Sequence, residues 1–226
     1  VRRYGFHGTS HQFVANCGAE FCGLDLENSK NVTCHVGNGG SVTAVFNCKS
    51  YCTSMGFSPV DGVMMGTRCG DVDPSAVLYI AEKEGMSFPE INTMINKKSG
   101  VEAVSGVSSD MRDIDDAYEA GNERAILARD MYYDRVKQYV GKYAALMGGI
   151  DMLIFTGGVG ENSNDLRRWV CHNMEFLGIE INDEINDKTR GVDTLLSTEN
   201  SKVKVAVIAT NEELVIAQDT YRLINA

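Results

Sequence analysis

The residues best suited to chemistry in this chain are glycines in tight turns, a histidine and an arginine. The stretch LIFTGGVGENS (153–163) leads from an apolar run into Gly157, Gly158 and Gly160, followed by polar Glu161, Asn162, Ser163 and Asn164. Lacking Cβ atoms, such a turn bends sharply and lets a ligand come close. Backbone N–H groups at the start of a following helix favour an anion or a nucleotide. A second turn, GNGG (37–40), lies between two alternating segments. Asn-Gly makes a hairpin turn by itself. Gly37, Gly39 and Gly40 exceed that need, and bare N–H groups of this kind hold phosphate oxygens. Arg68 is the one cation of the glycine-rich stretch 54–74. Facing phosphate, it would stabilise charge on a group in transfer. Facing Asp71 or Asp73, it would be an ordinary salt bridge. His7 reads as a strand–helix junction residue, either facing a cleft or satisfied structurally by hydrogen bonds. His7 and His11 do not make a two-histidine metal site.

The elements that must carry these residues follow from periodicity and turn signals. Residues 3–7 read as a short strand, and Thr9 or Ser10 caps a helix over 10–21. NVTCHV and SVTAVF form a hairpin about 37–40, with a third strand near 50–53. The stretch 54–74 is aperiodic, but its Phe57, Val60, Val63, Met64 and Met65 make it a packed loop lining a cleft rather than a disordered one. Helices follow over 73–84, with Pro74 at the first position, and over 88–97. A further helix runs from Ser109 or Asp110 through Tyr118, where Asp110 and Arg112 read most simply as a cap and a surface charge. A long helix spans 122–147, ended by Gly148-Gly149, with Gly141 marking close packing. The run 152–155 is a strand, 204–209 a buried strand, and 211–224 a final helix capped by Asn211.

Composition narrows the function classes. With 226 residues there is ample material for a core, and a hydrophobic content of 43% is that of a globular protein. A formal charge of −10 lacks the basic surface that nucleic acid requires, so none is expected as a partner. No apolar run approaches the roughly 18 residues that span a membrane. The opening VRRYGFHG has no signal-peptide core and reads as the middle of a longer chain. Seven cysteines without CxxC spacing fit free thiols in a reducing cytoplasm, not disulfides or a zinc site.

Taken together, FHGTSH (6–11), HVGNGGSV (35–42), SMGFSPVDGVMMGTRCGD (54–71), SGVSSDMRDI (105–114), FTGGVGENS (155–163) and ATNEELVIAQDT (209–220) resemble, in order, the signature segments of the acetate kinase family. The resemblance implies an α/β fold of the actin, Hsc70 and sugar-kinase type (ribonuclease H-like), here the second of two duplicated domains. Residues 1–209 would form the nucleotide-binding domain, and 210–226 a helix returning to an absent N-terminal domain. The implied reaction is reversible transfer of the ATP γ-phosphoryl group to acetate, giving acetyl phosphate and ADP with Mg²⁺ or Mn²⁺, in a cytoplasmic homodimer. Propionate kinase is the near alternative. From another class comes a non-catalytic nucleotide-binding or dimerisation module.

The same resemblance assigns residues. His7 and Arg68 match the catalytic groups around the phosphoryl in transit. His35, Val36, Gly37, Asn38 and Gly39 match a phosphate-cradling hairpin. Asp110, Met111 and Arg112 line the nucleotide site, and Gly158, Val159, Gly160, Glu161 and Asn162 lie under the adenosine. Pro59 walls the acyl pocket, and Glu212 is the magnesium-associated carboxylate. Cys69, Gly40 and Ala209 depart from the family's usual serine, alanine and proline. The family's early phosphate loop, substrate-binding arginine and catalytic aspartate have no counterpart in these residues.

Overall fold

Alternating β-branched and small residues make the hairpin, and its strands are buried on both faces. The computed structural model describes residues 1–225. Strands β1 (Lys30–Val36) and β2 (Gly40–Phe46) pair antiparallel, with β3 (Lys49–Thr53) outside them. Strand β4 (Met152–Thr156) lies parallel to β1, β6 (Lys204–Val207) parallel to β4, and the short β5 (Thr194–Leu195) closes the far edge. The order is β3-β2-β1-β4-β6-β5.

Side-chain alternation assigns each face its cover. Helix α1 (Gly8–Cys22) packs Val14 and Ala19 on Met152, Ile154, Ala206 and Ile208. The opposite face sends Val32, Cys34, Val36, Leu153, Phe155 and Val207 into the larger core. There the long helix, Glu123–Met147, contributes Tyr132, Tyr133, Val136, Val140 and Tyr143. The close approach in this architecture is at Gly18, where a Cβ would overlap Ile154. Gly141, read from sequence as the tight position, has nothing within 4 Å of a Cβ.

The connecting elements are α2 (Pro74–Lys83), α3 (Phe88–Lys97), α4 (Gly100–Ser105), α5 (Met111–Glu119), and then the long helix as α6. After β4 come α7 (Gly157–Asn162), α8 (Asn164–Cys171), α9 (Asp183–Lys188) and finally α10 (Glu212–Ile224). Asp73, Asp110, Asn122 and Asn211 cap α2, α5, α6 and α10 through their side chains.

Several sequence expectations fail for definable reasons. Residues 3–7 are not a strand. Tyr4 N–H reaches the Gly56 carbonyl, and Arg3 holds the carbonyls of Thr53, Ser54 and Met55, so the segment is tied down without a ladder. Residues 157–162 are a turn of helix, not a bare glycine turn. The loop 54–74 is packed as expected through Met55, Val63, Met64 and Met65, yet Phe57 is 64% exposed. It crosses itself at Gly70 (φ +69°), where a Cβ would stand 2.6 Å from the Val63 carbonyl oxygen. The seven cysteines are unpaired. No helix among the described residues is long and apolar enough to cross a membrane.

Candidate active site

The ends of β1 and β4 deliver both glycine-rich segments to one cleft. The 37–39 turn meets the start of α7 so closely that a Cβ on Gly37 would lie 3.8 Å from the Gly158 nitrogen. Beside them opens a cavity of about 770 Å³. Gly37, Asn38, Asp110, Met111, Arg112, Gly158, Val159 and Asn162 line it. A Cβ on Gly158 would meet nothing within 4 Å, so the floor of the cavity is open there.

Other expected residues lie nearby but outside that lining. Val36 is buried, and its carbonyl oxygen would stand 2.9 Å from a Cβ on Gly157, itself at φ +77°. Gly160 lies over the Cys34 carbonyl, and its own carbonyl accepts from the buried Arg167 at 2.9 Å. Glu161 turns back on its own helix. Its carboxylate accepts from Gly157 N–H (2.9 Å), the Thr156 hydroxyl (3.2 Å) and Thr210 N–H (3.2 Å). The anion at the start of α7 is therefore a side chain of the protein. Asp110 both lines the cavity and caps α5; hydrogen bonds from Arg112 hold its carboxyl at about 2. The Arg112 side chain is largely exposed.

Sequence reasoning missed several lining residues. Tyr132 is buried and donates its hydroxyl to the Gly37 carbonyl at 2.9 Å, bracing the turn from α6. Asp115 and Asp165 flank the buried Arg129 at 3.7 Å each, and Arg190 closes the rim. An aromatic at a core spacing in α6 carries no signal of this second use of its hydroxyl.

A second cluster surrounds His7. Arg68 donates to the Pro59 carbonyl at 3.0 Å and lies against Gly39, whose Cβ would stand 3.4 Å from the guanidinium. Among the described residues it pairs with no carboxylate. Asp71 is engaged by Gly62 N–H (2.9 Å) and the Tyr139 hydroxyl (2.7 Å), and Asp73 by Ser75 N–H. His7 caps α1 in the left-handed region (φ 56°), with its ring stacked on His35 at 4.1 Å. His35 Nδ1 bonds the Ser10 hydroxyl at 2.8 Å. Burial, then the neighbouring His35, push His7 down to about 4, with Arg68 adding and Glu212 opposing. The structure thus brings His7 to His35 and Arg68 to Pro59 and Gly39 beside the 37–39 turn, with the Glu212 carboxylate near enough to act on the charge of His7.

No group of three or more His, Cys, Asp and Glu able to hold a metal occurs among the described residues. Glu212 stands with Glu213 in the first turn of α10. That suits Mg²⁺, which keeps its waters and takes one or two carboxylates plus substrate phosphates.

A mixed sheet covered by helices on both faces, with its cleft at the ends of parallel strands, is the α/β domain of the actin and sugar-kinase class. The match to the acetokinase family model extends over residues 1–218, and the chain belongs to that family. It is 54% identical over 220 residues to the acetate kinase of Bacteroides thetaiotaomicron, covering 97% of this chain and 55% of that protein. The crystal structure of Porphyromonas gingivalis acetate kinase matches with a TM-score of 0.97 at 52% identity, over 99% of this chain and 56% of that one. A propionate kinase from Francisella tularensis subsp. tularensis matches at 0.88 and 40% identity, over 96% and 55%. The chain spans about half the length of the curated relatives it matches.

Proposed function

We propose that this chain is the nucleotide-binding half of an ATP-dependent kinase that reversibly phosphorylates acetate, giving acetyl phosphate and ADP. The observation that carries this reading is the pair of glycine segments meeting beside one open cavity, with Arg68, free of any carboxylate among the described residues, against the Gly39 end of the turn. The nucleoside occupies the cavity between Gly158-Val159 and Asp110–Arg112. The phosphates run over Gly37–Gly39 toward His7 and Arg68. In-line transfer demands fixed donors aimed at the oxygens of the moving phosphoryl, more than covalent chemistry. Arg68, anchored on the Pro59 carbonyl, supplies fixed positive charge. Pro59 stands beside it as an apolar wall for the acyl group. A divalent ion, Mg²⁺ or Mn²⁺, would travel with the phosphates near Glu212 and neutralise their charge.

Propionate is the alternative acyl substrate, favoured by the likeness to a propionate kinase. One methylene separates the two by only about 1–3 kcal/mol. The family resemblance also supports a cytoplasmic homodimer, with residues 1–209 as one body and α10 reaching a further domain. Gly158→Gln tests the nucleotide site. Its side chain enters space that is open in the parent, so ATP affinity by calorimetry should fall while phosphate or pyrophosphate binding persists. Equal ATP affinity in both proteins would remove the nucleoside from this cavity.

A further inference from the structure

His7 turns one ring nitrogen into the fold, where it meets a chain of polar side chains. Its Nδ1 lies 2.8 Å from Ser41 Oγ. The same oxygen lies 2.7 Å from His11 Nε2. His11 Nδ1 lies 2.7 Å from Thr33 Oγ1. Thr33, His11 and Ser41 are buried, and they come from β1, α1 and β2. Water therefore does not complete these bonds, and each group must be satisfied within the chain.

Each hydroxyl brings one proton, and each neutral imidazole brings one. The bonds must then all run in one direction or all in the other. Thr33 decides which. Its hydroxyl has His11 Nδ1 at 2.7 Å and the Thr43 carbonyl at 3.5 Å. The first is the optimum for a hydroxyl donor and the second is at the limit. With the Thr33 proton on His11 Nδ1, His11 carries its own proton on Nε2 and gives it to Ser41. Ser41 donates in turn to His7 Nδ1. The one proton of neutral His7 is left on Nε2, the nitrogen facing away from the chain.

We propose that Thr33, His11 and Ser41 are positioning residues that hold His7 as its Nε2–H tautomer, so that an uncharged imidazole donates a hydrogen bond to the phosphoryl group. This rests on the reading of His7 as a phosphoryl contact. The surroundings favour such a donor. The His35 ring from β1 stacks on His7 at 4.1 Å, Arg68 approaches from the 54–74 loop, and Glu212 from α10. Two of these three oppose a positive charge on His7, as burial does. Neutral imidazole serves as a hydrogen-bond donor where an imidazolium is disfavoured. No proton leaves His7, and none is gained.

The test is a long-range ¹H–¹⁵N correlation on the 226-residue chain with labelled imidazoles at neutral pH, which reports the protonated nitrogen of each ring. Nε2–H on both His7 and His11 is expected. Nδ1–H on either ring overturns the direction of the chain. Ser41→Ala should admit a second His7 tautomer, and one unchanged tautomer would overturn the positioning role. Thr33→Ser should keep the parent pattern and the isosteric Thr33→Val should lose it; identical patterns in the two would also overturn it. Should Thr33→Val fail to fold, Ser41→Ala carries the test at the bond nearest His7. In the full-length enzyme, Ser41→Ala should lower kcat on the order of tenfold, the scale of lost supporting hydrogen bonds, with KM for ATP held. His7→Ala with unchanged kcat, alongside the expected tautomers, overturns the phosphoryl contact and leaves the hydrogen-bond chain standing.

Discussion

Arg68 combines a cation, a fixed position and no carboxylate partner among the described residues. Its guanidinium is held by the Pro59 carbonyl and the Met65 sulfur, at 3.0 and 3.3 Å. A charge held this way reorganises little when a transition state forms, so its effect belongs to kcat. In the full-length enzyme Arg68→Ala should lower kcat about 100–1000-fold and change KM for ATP little. An unchanged kcat, measured at saturating acetate and ATP, would leave Arg68 a packing residue for the loop. The histidines give a second prediction at this scale. Burial holds His11 at about 3, against 6.5 in the open chain. The folded state keeps it neutral, so its stabilisation is complete above 6.5 and fades as pH falls through that value toward 3. Between neutrality and about pH 5, where most carboxylates remain ionised, His11 alone should remove about 2 kcal/mol. Urea midpoints should fall over that window; a level profile would contradict the buried neutral ring. Arg68 was legible in sequence because it is the lone cation of its loop. The link from His11 to His7 was not, since Ser41 and Thr33 lie 30 and 22 residues from His11 and meet it only through the sheet.

Elements were legible where periodicity and caps agreed, and hidden where glycine dominated. The hairpin and α6 follow from alternation and from Asn122, whose side chain accepts from two N–H groups of the first turn. Helix α7 was hidden because three of its six residues are glycine, the poorest helix former after proline. What holds it is tertiary. Glu161 satisfies the Gly157 N–H, and Arg167 ties the Gly160 carbonyl to Asn186 and Thr189. Helix α4 was missed for a related reason, beginning at Gly100 with φ +70°. The homodimer that the family resemblance implies needs a surface to form it. Most apolar positions of α6 are used within the chain, against the sheet, α4, α5 and α8, while Leu127, Met131 and Leu146 stay 39% to 54% exposed. A barer apolar face lies on α2, where Leu78 and Tyr79 are 67% and 60% exposed and Ala81 is the one buried residue. Burial there is expected to come from a second copy, and light scattering at micromolar concentration should give twice the chain mass. A monodisperse monomer would assign the α2 face to another part of the protein.

At the scale of the whole molecule, the chain should bind nucleotide without turning it over. Transfer needs both substrates held in line with charge neutralised around the moving group. These residues supply the cavity, the 37–39 turn, His7 and Arg68. The chain covers about 55% of the length of its relatives, so nearly half of what they bring to their fold is not among these residues. Helix α10 makes the same point from its surface. It touches α1 but buries Val215 alone, leaving Ile216, Tyr221, Leu223 and Ile224 60% to 77% exposed. A run of this kind on one helix is an interaction surface or an aggregation site. The isolated chain should therefore be sticky and fray first at α10, as amide exchange would report. A coupled assay with acetate, ATP and Mg²⁺ should detect no turnover, while calorimetry detects ADP, since the cavity proposed for the nucleoside is lined by residues of this chain. Adding back the rest of a relative's length should restore turnover and protect α10 from exchange together. Turnover by the chain alone, at the rate of a full-length relative, would mean that one wall of this cleft suffices. The rest of a relative's length would then be dispensable for transfer.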